Sequence, residues 1–445
     1  MRTALWAAVL TLANVLADVA IGSPMLVLPQ LLDHFDTDQA AWLGSSALLA
    51  GAIWSPLLAK CSDLYGKRRM LVVALLLACA GAMICLTATS LWIFLVGRFF
   101  QGASLATVFL SVALILQICT PRVAMGVVGI VTSGSAVVGI VEPLLMQPVI
   151  DVLGFRGVFV VPACLAAAAA LGVRCCVPES PIRTPGRVDA LGALLLGGGL
   201  GMVLAWLSGG PAVLVVTGAA ALGCWAFWAV RSDEPLIDIR GLRRPVVLTL
   251  LAVVLAAGSF RSMLQLTSIV AQVPPDPGLG YGLGDRGAAA VLLAAPNLGI
   301  AVGGACAGWI AGRLGPAPPL LGGITLGAAA TFGMLKGISD LPVAVVCGAA
   351  IGVAAGAIGT SGYNLATSLE TPQRQGTTAG LVSVAMALGS VVFTFLGNEM
   401  LKATRTSGEV STAVGVQLYI VMAGVLFVVA AVPATSLIRT VRTSP

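Results

Sequence analysis

Long apolar stretches make up most of this chain, and short polar connections separate them. Fourteen of these stretches approach the roughly 20 residues that a helix needs to cross the hydrocarbon core of a bilayer. Their approximate limits are 4–31, 40–59, 70–89, 91–119, 122–148, 155–176, 189–208, 211–230, 246–272, 287–311, 317–336, 341–368, 375–401 and 412–438. The pattern predicts an all-α membrane protein with fourteen transmembrane helices and no loop long enough to form a separate domain.

The basic residues in the connections test this count independently, because cytoplasmic loops are enriched in Lys and Arg. With the N-terminus in the cytoplasm, 17 of the 24 Lys and Arg residues fall on the cytoplasmic side and five on the outer side. The other two, Arg98 and Arg261, lie within predicted spans. This distribution predicts that both termini are cytoplasmic.

Composition excludes a soluble globular protein and several kinds of chemistry. The 445 residues are 58% hydrophobic and 9% charged, whereas a soluble domain carries roughly 25% charged residues. His34 is the one histidine, and the ten cysteines show no CxxC spacing, so we expect no metal site and no cofactor. The net charge of +6 is spread over many loops, which argues against nucleic-acid binding.

One loop pattern occurs twice in the chain. Residues 59–69 read AKCSDLYGKRR after the second span, and residues 308–315 read GWIAGRLG after the tenth. Aligning Gly66 with Gly315 places Asp63 over Gly312. The two loops then occupy corresponding points of two six-helix halves. The repeat predicts a 6 + 2 + 6 arrangement, with bundles at 1–176 and 246–445 and a two-helix insert with its linkers at 177–245.

The first loop resembles the signature G-x-L-x-D-R-x-G-R-R of the major facilitator superfamily. Asp63, Gly66, Lys67 and Arg68 match it, and residues 95–102 (LVGRFFQG) resemble the family's second signature in helix 4. Three further stretches are similar to the 14-helix drug:proton antiporter branch: 154–159 (GFRGVF), 187–192 (RVDALG) and 235–238 (PLID). The exporter element Gly-Pro-x-x-Gly-Gly of helix 5 is largely lost, because residues 142–147 read EPLLMQ.

The resemblance implies a major facilitator fold and a secondary transporter with alternating access, not an enzyme. We expect export of lipophilic or amphipathic drug-like compounds in exchange for protons, by a monomer in a bilayer. Abundant Gly and Ala and a preference for Arg over Lys favour a bacterial inner membrane. The altered helix 5 element keeps two alternatives open: an uptake or lipid-moving carrier of the same fold, and a membrane sensor or scaffold without transport activity.

Ionisable residues inside spans are the first functional candidates, because each must be neutralised, paired or hydrated there. We expect Asp18 or Glu142 to take up a proton while Arg98 tunes its affinity. The alternative is a permanent buried ion pair between Asp18 and Arg98 that only fixes helix register. Arg261 could attract an anionic group of the substrate or act as counter-ion to Glu142.

Two further groups complete the candidate site. If the family fold is right, a substrate cavity near the membrane midplane contains polar residues from several spans. Its expected members are Asn14, Gln101, Arg261, Gln265, Asn297, Tyr363 and Asn364. A cytoplasmic gate, which must open when the transporter turns inward, is expected at Asp63, Gly66, Lys67, Arg68, Arg69 and Arg313.

Overall fold

The computed structural model describes residues 2–37, 40–183, 186–207, 210–232, 235, 242–272, 284–371, 375–404 and 413–442. All regular secondary structure in these ranges is helical, which confirms the all-α class. The α-helices are α1 (Arg2–Leu26), α2 (Leu28–Phe35), α3 (Ala40–Tyr65), α4 (Lys67–Thr87), α5 (Leu91–Gln101), α6 (Ala106–Ile118), α7 (Pro121–Leu153), α8 (Gly157–Cys176), α9 (Ala190–Leu207), α10 (Val213–Arg231), α11 (Arg244–Gln272), α12 (Gly284–Leu314), α13 (Ala317–Gly337), α14 (Leu341–Ser368), α15 (Gln375–Ala403) and α16 (Ala413–Arg442). Residues 236–238 of the PLID stretch lie outside the described residues.

Many of these helices have the length and hydropathy of membrane spans. Eleven segments within the described ranges meet both criteria, and Ala190–Val203 is a shorter apolar helix. The multi-pass membrane character is therefore confirmed. The count of fourteen spans and the cytoplasmic position of both termini stay predictions.

Two predicted spans are interrupted rather than continuous. The first divides at Val27 into α1 and α2, and the prolines within it, Pro24 and Pro29, explain the break, since proline cannot donate to the helical hydrogen-bond ladder. The fourth divides into α5 and α6 at a 3₁₀ turn, Gly102–Leu105. A stretch of 3₁₀ inside a helix often marks a hinge, and Arg98 lies within one turn of it.

The chain divides into two compact units. The first comprises Met1–Ala124, Val141–Arg243 and Thr367–Val384, and the second comprises Met125–Ile140, Arg244–Ala366 and Ala385–Pro445. Each unit thus includes one short segment from the opposite half of the sequence. The 6 + 2 + 6 division drawn from the loop repeat stays a prediction.

In the first unit, α4 packs against α8 and α5, and α1 packs against α8. The Phe94 ring lies 5.2 Å from the Phe35 ring and 5.6 Å from the Phe159 ring, centroid to centroid. These contacts join α2 to the start of α5, and α5 to α8. Helix α9 packs against α10 and α3, so it connects α10 to α3 within the first unit.

In the second unit, α16 packs against α11 and α13. The core between them includes Met263, Leu266, Met334 and Ile420. Tyr419 is fully buried in this core, and its hydroxyl donates a hydrogen bond of 3.0 Å to the Ser262 carbonyl oxygen. The phenol therefore fills apolar space while its polar atom is satisfied, as buried tyrosines generally require.

Glycine permits a close crossing of α12 and α14 in the second unit. A Cβ on Gly303 would overlap the Val353 carbonyl, and a Cβ on Gly352 would overlap the Pro296 carbonyl. Both obstacles are backbone atoms, which cannot rotate away. Small residues at such crossings let helices pack in membranes without polar contacts.

Gly303→Ala is therefore expected to destabilise the fold by about 1–3 kcal/mol, the usual cost of overpacking. Thermal unfolding of the purified protein in detergent measures this loss. Gly322→Ala on α13 is the matched control, because a Cβ there meets nothing within 4 Å. Equal unfolding temperatures for the two variants would show that the crossing is not close packed.

Candidate functional site

The Glu142 side chain of α7 lies against α1. Glu142 is 8% exposed, and its Oε1 accepts a hydrogen bond of 2.6 Å from the Ser23 hydroxyl. Gly22 provides the space for the carboxylate, since a Cβ there would lie 3.2 Å from Oε2. Residues 22–23 of α1 thus form a close-fitting polar seat for one carboxyl group.

Asp18 of α1 provides a second carboxylate, one helical turn before Gly22. Asp18 precedes Gly22 by four residues, so both lie on the same face of the helix. Asp18 is exposed, and the charges of Asp18 and Glu142 interact electrostatically. Among the first unit's described residues, no Lys or Arg nitrogen lies within ion-pair distance of Glu142. A proton or a cation would relieve the repulsion between the two carboxylates.

Arg98 reaches the same segment of α1 from α5. It is completely buried, and its Nη1 donates hydrogen bonds of 2.7 Å to the Ala20 carbonyl oxygen and 2.7 Å to Gln101 Oε1. The structure therefore brings the three predicted coupling residues, Asp18, Arg98 and Glu142, to residues 18–23 of α1. Asn14 and Gln101 of the predicted cavity are also buried.

The other predicted cavity residues belong to the second unit. Arg261 and Gln265 are half-buried and four residues apart on α11, so they share a face. Asn297 on α12 is half-buried, whereas Tyr363 and Asn364 on α14 are buried. Within the described part of the chain, neither amide atom of Asn364 has a hydrogen-bond partner. That these residues form one cavity with those of the first unit stays a prediction.

The predicted gate contains an ion pair whose acid, Asp63, also contacts Thr377 of α15. Lys67 Nζ lies 2.7 Å from Asp63 Oδ1, and both side chains are buried. The other oxygen of Asp63 accepts hydrogen bonds from the backbone N–H and the hydroxyl of Thr377, at 2.9 and 2.7 Å. Asp63 of α3 thus accepts hydrogen bonds from the first turn of α15, where backbone N–H groups lack helical partners.

Glu179 and Ser180, which follow α8, hold the other side of this loop. Glu179 accepts hydrogen bonds from the backbone N–H groups of Arg68 (2.9 Å) and Arg69 (3.2 Å), and Ser180 Oγ accepts one from Lys67 N (3.0 Å). Gly66 between α3 and α4 has φ 106°, a backbone conformation that favours glycine. A carboxylate at a helix N-terminus is stabilising.

Sequence reasoning missed Thr377, Glu179 and Ser180. The available signal was Glu179, an acid directly after Pro178. It lies on the side predicted to be cytoplasmic, as does the basic loop at residues 59–69. In the second copy of the loop, the Arg313 guanidinium lies 3.9 Å from the Trp309 ring centroid. Gly312 stands where the first copy has Asp63, so the second copy has no carboxylate at that position.

The Major Facilitator Superfamily model matches residues 10–394, so the chain belongs to this family. It is 28% identical to the uridine/deoxyuridine transporter of Lactococcus lactis subsp. cremoris over 68% of this chain and 66% of that protein. It is 25% identical to the multidrug resistance protein Stp of Mycobacterium tuberculosis over 81% of this chain and 68% of Stp. The chain thus spans about two thirds of these relatives.

The fold is similar to that of the human organic anion transporter MFSD10 (TETRAN), with a TM-score of 0.71 and 17% identity, over 97% of this chain and 99% of that one. The Major Facilitator Superfamily is a family of membrane transporters, and the Lactococcus relative and MFSD10 are transporters. The chain is therefore a membrane transporter for small molecules and not an enzyme, as the sequence predicted.

Proposed function

We propose that this chain is a proton-coupled secondary transporter that exports lipophilic or amphipathic compounds by alternating access. In this proposal it is a monomer with fourteen spans in a 6 + 2 + 6 arrangement, with both termini in the cytoplasm of a bacterium and its spans in the inner membrane. Similarity to Stp, a multidrug resistance protein, supports export.

The observation that supports this proposal most directly is the packing of the Glu142 carboxyl group against Gly22 and Ser23 of α1. This buried carboxyl group accepts a hydrogen bond from the Ser23 hydroxyl, and its charge interacts with that of the Asp18 carboxylate. A carboxyl group in such a position gains or loses a proton when its surroundings change. Glu142 carries the proton in this proposal, and the exposed Asp18 is where a proton or a cationic part of the substrate first arrives. A change in the fit of α1 against α7 then links proton occupancy to conformation.

The Asp63–Thr377 contact supplies the gate. It joins α3 to the start of α15, and it can form only while these elements are adjacent. We assign the Lys67–Asp63–Thr377 group to the state closed on the cytoplasmic side. Arg68 and Arg69 hold the loop on Glu179 through their backbone N–H groups, so the loop keeps its shape when the contact with Thr377 breaks.

Export can be tested in cells of a bacterial host without its main efflux pumps. Cells producing the full chain should accumulate less of a fluorescent amphipathic cation than cells with an empty vector. A protonophore should abolish the difference, because the gradient that drives export is lost. Lower accumulation that survives the protonophore would contradict proton coupling.

Uptake is the second candidate. Two observations favour it: the exporter element of helix 5 is altered at residues 142–147, and one relative is a uridine/deoxyuridine transporter. Uptake predicts higher accumulation of a labelled nucleoside in producing cells. Movement of a labelled lipid between vesicles and protein would support a lipid carrier, and no movement of any compound would support the sensor or scaffold.

A further inference from the structure

Pro24 leaves a gap in the hydrogen-bond ladder of α1. In an α-helix the N–H of each residue donates to the carbonyl four residues earlier. Residue 24 is a proline within α1 and has no N–H, so the Ala20 carbonyl loses its helical donor. An unsatisfied carbonyl inside a membrane costs several kcal/mol, and membrane helices with proline need another donor at this position.

Arg98 provides that donor. Its Nη1 is 2.7 Å from the Ala20 oxygen, and Gln101 Oε1, one turn further along α5, accepts from the same nitrogen at 2.7 Å. These two acceptors are uncharged groups. The guanidinium is thus bound to the one carbonyl of α1 that Pro24 deprives of its partner.

The position of this bond connects it to the carboxylates. Ala20 lies between Asp18 and the Gly22–Ser23 seat of Glu142. A helix freed at Ala20 can bend between these two points, and the bend sets how Ser23 meets Glu142. The bond from Arg98 therefore fixes the geometry of the carboxyl pair from a third helix.

We propose that Arg98 is a positioning residue that replaces the hydrogen bond missing at Pro24 and thereby holds the α1 seat of Glu142 in place. This role differs from the electrostatic tuning of a carboxylate expected from the sequence. Its effect on transport rests on the proposed function, whereas its effect on α1 does not.

A change of backbone donor distinguishes the two roles. Arg98→Met keeps side-chain length and removes the donor, so we expect proton-driven export to fall more than about tenfold, as for loss of a buried charged hydrogen bond. Pro24→Gly restores an N–H at residue 24 and leaves the helix able to bend. In the Pro24→Gly background, Arg98→Met should cost less than about twofold, because Ala20 again has a donor.

The same cycle is measured by thermal unfolding in detergent. Arg98→Met should lower the unfolding temperature in the wild-type background and change it far less in the Pro24→Gly background. Pro162→Gly is the matched control, since Pro162 is a buried proline inside α8 of the same unit. It should leave the cost of Arg98→Met unchanged in both measurements.

Equal costs of Arg98→Met in the wild-type and Pro24→Gly backgrounds would overturn the proposal and favour a direct electrostatic role. Should the wild-type chain transport nothing, the proposed function fails, and the unfolding cycle alone decides whether Arg98 acts through the Ala20 carbonyl. Recovery by Pro162→Gly as well would also overturn it, because the effect would then not be specific to α1.

Discussion

Glu142→Gln is expected to reduce proton-driven export to the level of protein-free vesicles while substrate exchange without a proton gradient continues. The amide nearly matches the carboxyl group in shape, and its oxygen can still accept from Ser23. It cannot gain or lose a proton. The variant therefore separates the proton from the conformational cycle, and flux of a radiolabelled substrate in proteoliposomes, with and without an imposed pH gradient, measures both activities.

Asp151→Asn is the matched control for this result. Asp151 lies on α7, nine residues beyond Glu142, and is exposed. Its neutralisation should leave both activities at the wild-type level. Continued gradient-driven export by Glu142→Gln would assign the proton to another group, with Asp18 the first to test.

Asp63→Ala is expected to have the largest effect on stability. Lys67 is completely buried and would lose its counter-charge, and loss of one partner of a buried ion pair costs about 3–5 kcal/mol. The N–H and hydroxyl of Thr377 would lose their acceptor as well. Thermal unfolding should show the loss of stability. The opening of the gate can be followed by maleimide labelling of a Thr378→Cys variant in a chain without native cysteines, and the labelling should become faster.

A double variant separates charge burial from gating. Asp63→Ala with Lys67→Met removes the uncompensated charge, so stability should partly return while rapid labelling of Thr378→Cys persists. Arg69→Gln, at an exposed position in the first turn of α4, should alter neither measurement. Slow labelling in Asp63→Ala would refute the gate, since Asp63 would then serve stability alone.

The helices were predictable from the sequence because the thickness of the bilayer sets the requirement of about 20 apolar residues for a span. This requirement does not depend on tertiary contacts. The breaks were less so. Pro24 and Pro29 predict a break in the first span, whereas the Phe35–Phe94 contact that packs α2 against α5 joins residues far apart in the sequence. The 3₁₀ turn at Gly102 has no comparable local signal.

The candidate charges were also predictable, because an ionisable group within a span is costly unless it has a function or a partner. Their partners were not. Ser23 is 119 residues from Glu142, and Thr377 is 314 residues from Asp63. Such contacts depend on how whole helices pack, which the spacing of residues along one helix does not reveal.

Arg98 shows the limit most clearly. Its charge suggested a carboxylate partner, yet one of its hydrogen bonds goes to a backbone carbonyl. Local hydropathy contains no information on that acceptor. The proline four residues after Ala20 did contain it, since it predicts a carbonyl without a helical donor.

Proton movement caused by substrate in proteoliposomes tests the central claim most directly. Purified wild-type protein and the Asp18→Asn and Glu142→Gln variants are reconstituted with an enclosed pH-sensitive dye, and a lipophilic cation or a neutral amphipathic compound is added outside. The account predicts a substrate-dependent pH change with wild type and none with Glu142→Gln. Substrate flux by the wild-type protein without any pH change would contradict it.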